Sequence, residues 1–96
     1  MLSGFNTEVE FEGTRFHIQT EVRKEADIET AVYVKGAVVH SFRTSHPGLS
    51  IAQDGHEQQV MRLLEGQHRQ VIAQIRAGEI KPPSVLASSS DSLGNP

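Results

Sequence analysis

The sequence predicts an α+β domain in which a four-stranded antiparallel β-meander, made of two hairpins, is covered by one long C-terminal α-helix. Two X-Gly dipeptides, Glu12-Gly13 and Lys35-Gly36, each lie between segments rich in β-forming residues, as expected for tight hairpin turns. A single later segment, residues 54–77, has helical periodicity. The sheet needs a cover on one face, and this helix can provide it.

The first hairpin, residues 5–22, has one register that satisfies both faces of the sheet. Apolar and polar side chains alternate on each side of the turn. A two-residue turn pairs Val9 with Phe16 on the apolar face. The same register sets Glu10 opposite Arg15 on the polar face, so the sequence predicts this pairing.

The second hairpin, residues 28–44, admits two registers. In the first, a two-residue turn pairs Val34 with Ala37, and three bulky side chains then share the face away from the helix: Tyr33, Val38 and Phe42. In the second, a type I turn with a bulge at Gly36 places a different apolar set on one side: Ile28, Val32, Val38 and Phe42. In either register this hairpin has more apolar side chains than one covered face requires.

The helix is predicted by the spacing of its apolar residues: Val60, Leu63, Leu64, Val71 and Ile75. Asp54 suits the N-cap and Gly78 suits the end. A helix of ~24 residues is roughly 36 Å long, whereas four strands make a sheet roughly 15–20 Å across. We therefore expect the helix to extend past the sheet. Gly66 is expected at a close backbone approach or a kink, and Leu64 is expected to pack on the Val9/Phe16/Ile18 surface.

Composition limits the classes of function. The 96 residues predict one domain, residues 1–80, followed by a Pro/Ser/Gly-rich tail, residues 81–96, that we expect to be disordered. The chain has no cysteine, which excludes disulfide scaffolds and thiol catalysis. A net charge of -3 argues against nucleic-acid binding. The absence of a signal peptide and of a long apolar run predicts a cytoplasmic protein with no membrane partner.

The side chains that could perform chemistry are five histidines: His17, His40, His46, His56 and His68. None of them is spaced from another as helical zinc ligands are, and no nucleophile motif or phosphate-binding loop is present. We therefore predict no catalytic, cofactor or metal site, and no enzyme. Three helix arginines, Arg62, Arg69 and Arg76, are interpreted first as a solvated face.

One surface is predicted to bind a partner protein or a second copy of the chain in a homodimer. Tyr, Phe and Arg are enriched at interface centres, and the second hairpin contains Tyr33, Val38, Phe42 and Arg43. The expected helix overhang would add three apolar side chains to it: Val71, Ile72 and Ile75. The alternative interpretation is that part of this set is core.

Two runs, FNTEVEFEGTRFHIQTEV and IETAVYVKGAVVHSFRTSH, together with the Gln/His/Arg helix that follows, resemble a small uncharacterised bacterial β-meander-plus-helix domain. The resemblance covers about residues 5–77. The sequence is also similar to accessory regulators of the bacterial Ras-like GTPase of cell polarity and motility. These resemblances imply a non-enzymatic interaction or regulatory module, such as an adaptor of a small Ras-like GTPase. The alternative is a small-ligand or nucleic-acid-binding domain that uses the helix arginines.

Overall fold

The computed structural model describes residues 4–23, 27–49 and 55–82. They form four β-strands and one α-helix: β1 (Gly4–Phe11), β2 (Thr14–Val22), β3 (Ile28–Val34), β4 (Ala37–Thr44) and α1 (Glu57–Arg76). The strands make one antiparallel sheet in the order β1-β2-β3-β4, and α1 packs across β1, β2 and β3. The predicted α+β meander with a covering helix is confirmed. The expected N-cap, Asp54, and residues 83–96 of the predicted tail lie outside the described residues.

The first hairpin has the predicted register, with Val9 opposite Phe16 and Glu10 opposite Arg15. The backbone at Glu12 and Gly13 is left-handed, with φ angles of 49° and 83°. A two-residue turn with both central residues in this region matches the twist of the flanking strands. The turn chemistry and the alternation therefore determine one pairing.

The second hairpin follows neither predicted register. The two-residue turn is present and pairs Val34 with Ala37, but a β-bulge between Val32 and Tyr33 shifts the pairing that follows. The extra residue on β4 is Val39, which packs against the core. Because a bulge changes which side chains share a face, Tyr33 and Val38 stay on the outer face. Phe42, opposite Thr30, lies on the helix face instead.

The helix is shorter at its start than predicted, because it begins at Glu57. Its 20 residues are about 30 Å long. It ends in a Schellman motif: the Glu79 N–H donates to the Gln74 carbonyl at 2.9 Å, and the Gly78 N–H donates to the Ile75 carbonyl at 3.0 Å. Gly78 has a φ of 77°, which reverses the chain and lets Ile80 pack into the core.

The core lies between α1 and the inner face of the sheet. One apolar cluster contains eight buried residues: Val9, Phe16, Ile18, Val32, Val34, Val71, Ile75 and Ile80. Val71 and Ile75 are fully buried, so the expected helix overhang is wrong. The shorter helix ends over the part of the sheet that lies near the two hairpin turns. Leu64 is fully buried as well. The helix residues that belong to the cluster with Val9, Phe16 and Ile18 are Val71 and Ile75. The prediction that Leu64 packs on that surface is therefore wrong.

Gly66 is not at a close backbone approach, because a Cβ atom built there would meet no other atom within 4 Å. Replacing Gly66 by alanine is therefore expected to raise the free energy of unfolding by about 0.5–1 kcal/mol, since alanine restricts the unfolded chain. The matched change Gly78→Ala should lower it by about 1–2 kcal/mol, because a Cβ atom is strained in the left-handed region. Urea denaturation of both variants measures this. A destabilised Gly66→Ala protein would contradict the description of the helix surface.

Candidate functional site

β4 is an exposed edge strand. It ends the sheet, while α1 packs across the other three strands. The side chain of Val38 is 57% exposed on the outer face and that of Phe42 is 37% exposed on the helix face. They are two of the three exposed large apolar side chains among the described residues, Met61 being the third. One strand therefore presents apolar side chains on both faces.

The outer face beside Val38 is a shallow hollow of about 240 Å³. Tyr33 is paired with Val38 across β3 and β4 and is half-buried. Arg43 lies further along the strand, with its Nη2 atom 3.7 Å from Glu29 Oε1. The Glu29 carboxylate also accepts a hydrogen bond from Arg23 Nε at 2.9 Å. The lining of this hollow thus combines the Tyr33 ring and the Val38 side chain with the charged groups of Arg23, Glu21 and Glu29.

The structure separates the predicted partner-binding residues into three groups. Tyr33 and Val38 share the outer face, as expected from the first register, and Arg43 lies further along β4 on the same face because of the bulge. Phe42 lies on the same strand but on the opposite face, because of the bulge. The predicted helix residues Val71 and Ile75 are buried in the core, and Ile72 packs partly buried against it. The helix end therefore does not join the β4 surface.

The opposite edge of the sheet has a different character. β1 carries the exposed acidic residues Glu8 and Glu10, whereas β4 has no acidic residue and carries Arg43 and His40. Charged side chains are a common protection of edge strands against pairing with other chains. β1 is protected in this way, whereas β4 carries one charged side chain, Arg43, and contains the bulge.

A row of polar side chains lies between the sheet and the helix. We call this row the polar layer, and it consists of Thr7, Thr20, Thr30, Thr44, Gln67 and His68. Each strand contributes one threonine, and the helix contributes Gln67 and His68. His68 lies 5% exposed in its centre. Its Nε2 atom is 2.8 Å from Thr7 Oγ1 and its Nδ1 atom is 2.7 Å from Thr20 Oγ1. The Thr20 and Thr30 hydroxyls are 2.7 Å apart.

Gln67 continues the polar layer to β4. The two hydrogens of its Nε2 atom are shared among three acceptors: the Ile28 carbonyl at 3.2 Å, Thr30 Oγ1 at 3.1 Å and the Phe42 carbonyl at 3.2 Å. Its Oε1 atom accepts a hydrogen bond from the Thr44 hydroxyl at 2.6 Å. The helix is thereby tied to β3 and to the edge strand by one side chain.

Burial without a charged neighbour lowers the pKa of His68, the cause being desolvation.

The sequence interpretation missed the polar layer, because it considered His68 only as a candidate for chemistry or zinc binding. A signal was nevertheless present. Gln67 and His68 occupy helix positions between Leu64 and Val71, in the middle of the apolar stripe, and threonines occur at inward positions of the strands. Polar residues at buried positions of both partners indicate hydrogen bonds between them.

The helix arginines share the solvent side of α1. Arg62, Arg69 and Arg76 are all exposed, and a spacing of seven residues is close to two helical turns. Arg69 pairs with Glu65, its Nη2 atom lying 2.6 Å from Glu65 Oε2. The row is thus basic at both ends and partly neutralised in the middle.

Within residues 4–23, 27–49 and 55–82, no group of three or more His, Cys, Asp or Glu side chains is placed to hold a metal ion. No helix of this part of the chain is long and apolar enough to cross a membrane. The chain matches no protein-family model, and no significant match exists among curated proteins or solved structures. The functional interpretation therefore rests on the geometry.

Proposed function

We propose that this protein is a non-enzymatic interaction module that binds an extended segment of another protein along β4. The observation that supports this most is the edge strand itself, where Val38 and Phe42 are exposed on opposite faces of a strand outside the helix cover. Alternate backbone N–H and C=O groups of an edge strand point away from its sheet. A partner strand can form hydrogen bonds with these groups and cover both apolar side chains.

When a strand is added to the edge of a sheet, different groups determine the affinity and the specificity of binding. Main-chain hydrogen bonds supply much of the affinity, and alternate side chains of the added strand enter sites on the two faces. On the outer face, the hollow beside Tyr33 and Val38 offers these two side chains for apolar contact and has polar groups around them. On the helix face, Phe42 and the half-buried His40 lie beside the covering helix. The partner segment is therefore expected to alternate apolar residues on both faces.

The charge of β4 favours an acidic partner over a second copy of the chain. β4 itself has one charged side chain, Arg43, and no acidic one, although the Arg43 guanidinium lies 3.7 Å from the Glu29 carboxylate of β3. Pairing β4 with its own copy brings two such strands together, whereas an acidic strand complements Arg43. Pairing β4 with the acidic β1 of another copy is a head-to-tail contact, which gives rings or open filaments rather than a homodimer. A different protein with an acidic, apolar strand is the better fit.

The resemblance to bacterial accessory regulators makes a small Ras-like GTPase of the bacterial cytoplasm the first partner to test. In this proposal the protein acts as an adaptor or regulator, without chemistry of its own. An anionic small ligand or nucleic acid bound along the helix arginines is the second candidate, supported by their shared face. The Arg69–Glu65 pair weakens it, because that arginine is already neutralised.

Replacing Val38 by glutamate should weaken partner binding by about 30-fold or more. The change removes an interface side chain and sets a negative charge against an acidic partner, which is in the range of an interface hot spot. The matched control is Met61→Glu, which adds the same charge at an exposed apolar side chain on the helix. Binding is measured by titration calorimetry, first with the GTPase. Circular dichroism should show both variants folded.

Three outcomes would contradict this proposal. Equal losses for Val38→Glu and Met61→Glu would place the binding surface elsewhere. Unchanged binding by Val38→Glu would exclude β4. Loss of binding only when Arg62, Arg69 and Arg76 are replaced by glutamine would favour the anionic-ligand alternative.

A further inference from the structure

We propose that the polar layer is an acid-sensitive latch that holds the edge strands to the helix, and that protonation of the buried His68 imidazole opens it. The inference rests on the direction of the hydrogen bonds in the layer. It is independent of which partner β4 binds.

The direction of the chain follows from two backbone carbonyls. Ile28 O and Phe42 O can only accept hydrogen bonds, so the Gln67 side-chain atom near both must be the amide nitrogen. That nitrogen also donates to Thr30 Oγ1. The opposite atom of the amide, Oε1, accepts from the Thr44 hydroxyl. Gln67 therefore has a single orientation.

The remaining bonds are then determined in sequence. Since the Gln67 amide nitrogen cannot accept a hydrogen bond, the Thr30 hydroxyl donates to Thr20 Oγ1, which lies 2.7 Å away. Thr20 in turn donates to His68 Nδ1. An accepting Nδ1 means that the imidazole is neutral and carries its hydrogen on Nε2, where it donates to Thr7. The reverse direction leaves the Thr30 hydrogen without an acceptor among the contacts of the described residues.

Protonation of His68 breaks this arrangement. Both ring nitrogens then donate, so Thr20 must accept from Nδ1 and turn its own hydrogen towards Thr30. Thr30 would then receive hydrogen bonds from both Thr20 and Gln67, and its own hydrogen would lose its acceptor. An unsatisfied buried polar group is costly, and so is a buried charge without a counter-ion.

The surroundings of His68 contain no group to neutralise that charge. From β1 it meets Thr7 and the ring of Phe5, whose centroid is 5.6 Å away. From β2 it meets Thr20, with Thr30 of β3 behind it. On its own helix the nearest charged residues, Glu65 and Arg69, pair with each other on the exposed side. None of the residues described in contact with the imidazole is ionisable.

The latch reaches the edge strands at both ends. Thr7 belongs to β1, and Gln67 binds the Phe42 carbonyl and the Thr44 hydroxyl of β4. Loss of order at Thr30 loosens Gln67, because the two share a hydrogen bond. Acidification is therefore expected to release β4 from the helix before the sheet itself opens.

The direction of the pH effect follows from the lowered pKa of His68. In the opened or unfolded state, His68 has its ordinary pKa of 6.5. It therefore takes up a proton at a pH at which the imidazole of the closed state stays neutral. The contribution to stability is thus fully present above about pH 6.5 and is lost as the pH falls towards the lower pKa of the folded state. In that window the ratio of opened to closed protein rises by up to about tenfold per pH unit.

The test combines nitrogen NMR of the histidine rings with urea denaturation between pH 8 and pH 5. In the wild-type protein we expect His68 to carry its hydrogen on Nε2 and to titrate below pH 6.5. His68→Gln keeps one donor and one acceptor but cannot take up a proton, so its unfolding should lack this acid-sensitive part. His17→Gln, on the outer face of the sheet and outside the polar layer, is the control and should still show the acid-sensitive part.

Each result decides the proposal. A hydrogen on Nδ1, or titration of His68 at or above pH 6.5, would overturn it, and this measurement needs only the wild-type protein. It would also be overturned by a folded His68→Gln protein with the wild-type pH profile. Faster hydrogen exchange of β4 amides at pH 5 than at pH 8, corrected for intrinsic rates and absent in His68→Gln, would support the release of the edge strand.

Discussion

Replacing Leu64 by alanine is expected to lower the free energy of unfolding by about 2–5 kcal/mol, the range for truncation of a fully buried leucine. Leu64 has no exposed surface and lies beside the polar layer on α1. Removal of its side chain leaves a cavity under the helix. A domain of this size has a total stability of roughly 5–10 kcal/mol, so the variant should be close to unfolding at room temperature.

Urea denaturation followed by circular dichroism measures this loss, and Met61→Ala is the control. Met61 lies on the same helix but is 42% exposed, so its truncation should change stability by less than about 1 kcal/mol. If Leu64→Ala and Met61→Ala have equal denaturation midpoints, the helix stripe is not the cover of the sheet.

Replacing Gln67 by leucine should destabilise the protein by about 2–4 kcal/mol, although leucine is more hydrophobic. Gln67 satisfies two backbone carbonyls and two threonine hydroxyls inside the protein. Leucine leaves these groups without their partner, and each unsatisfied buried group costs about 1–3 kcal/mol. The apolar gain offsets only part of this loss.

The matched control is Gln70→Leu, because Gln70 is exposed on the same helix. It should change the denaturation midpoint little. Loss of the slowly exchanging amide hydrogens near Phe42 and Ile28 in Gln67→Leu would locate the damage at the polar layer. A stabilised Gln67→Leu protein would show that these hydrogen bonds contribute nothing to the fold.

The first hairpin could be predicted in full from the sequence, while the second could not. Alternation and the Glu12-Gly13 turn allowed one register, which the structure has. In β4 the run Ala37–Val39 is apolar throughout, so no alternation indicated where an extra residue would be inserted. The bulge at Val39 depends on packing against the core, and it decided the position of Phe42.

The candidate site was predictable in part on the strand and not on the helix. Tyr33 and Val38 share a face as the hairpin turn implied, whereas the bulge exchanges the faces of Phe42 and Arg43. The prediction for Val71 and Ile75 was wrong about their exposure, because the expected length of the helix was too great and its last turns cover the hairpin end of the sheet. The polar layer was missed because threonine is common in strands whether exposed or buried. Only the pairing of strands and helix brings those hydroxyls to His68.

The most direct test of partner binding along β4 is site-specific photo-cross-linking in the source cell. A benzophenone amino acid is placed at Val38 in one variant and at Met61 in another, so that both probes replace exposed apolar side chains. We expect the probe at position 38 to yield one major adduct, whose cross-linked peptide is an acidic segment with alternating apolar residues from another protein. The probe at position 61 should yield no such adduct. The same adduct from both positions, or an adduct from position 61 alone, would contradict the proposal that β4 is the binding surface.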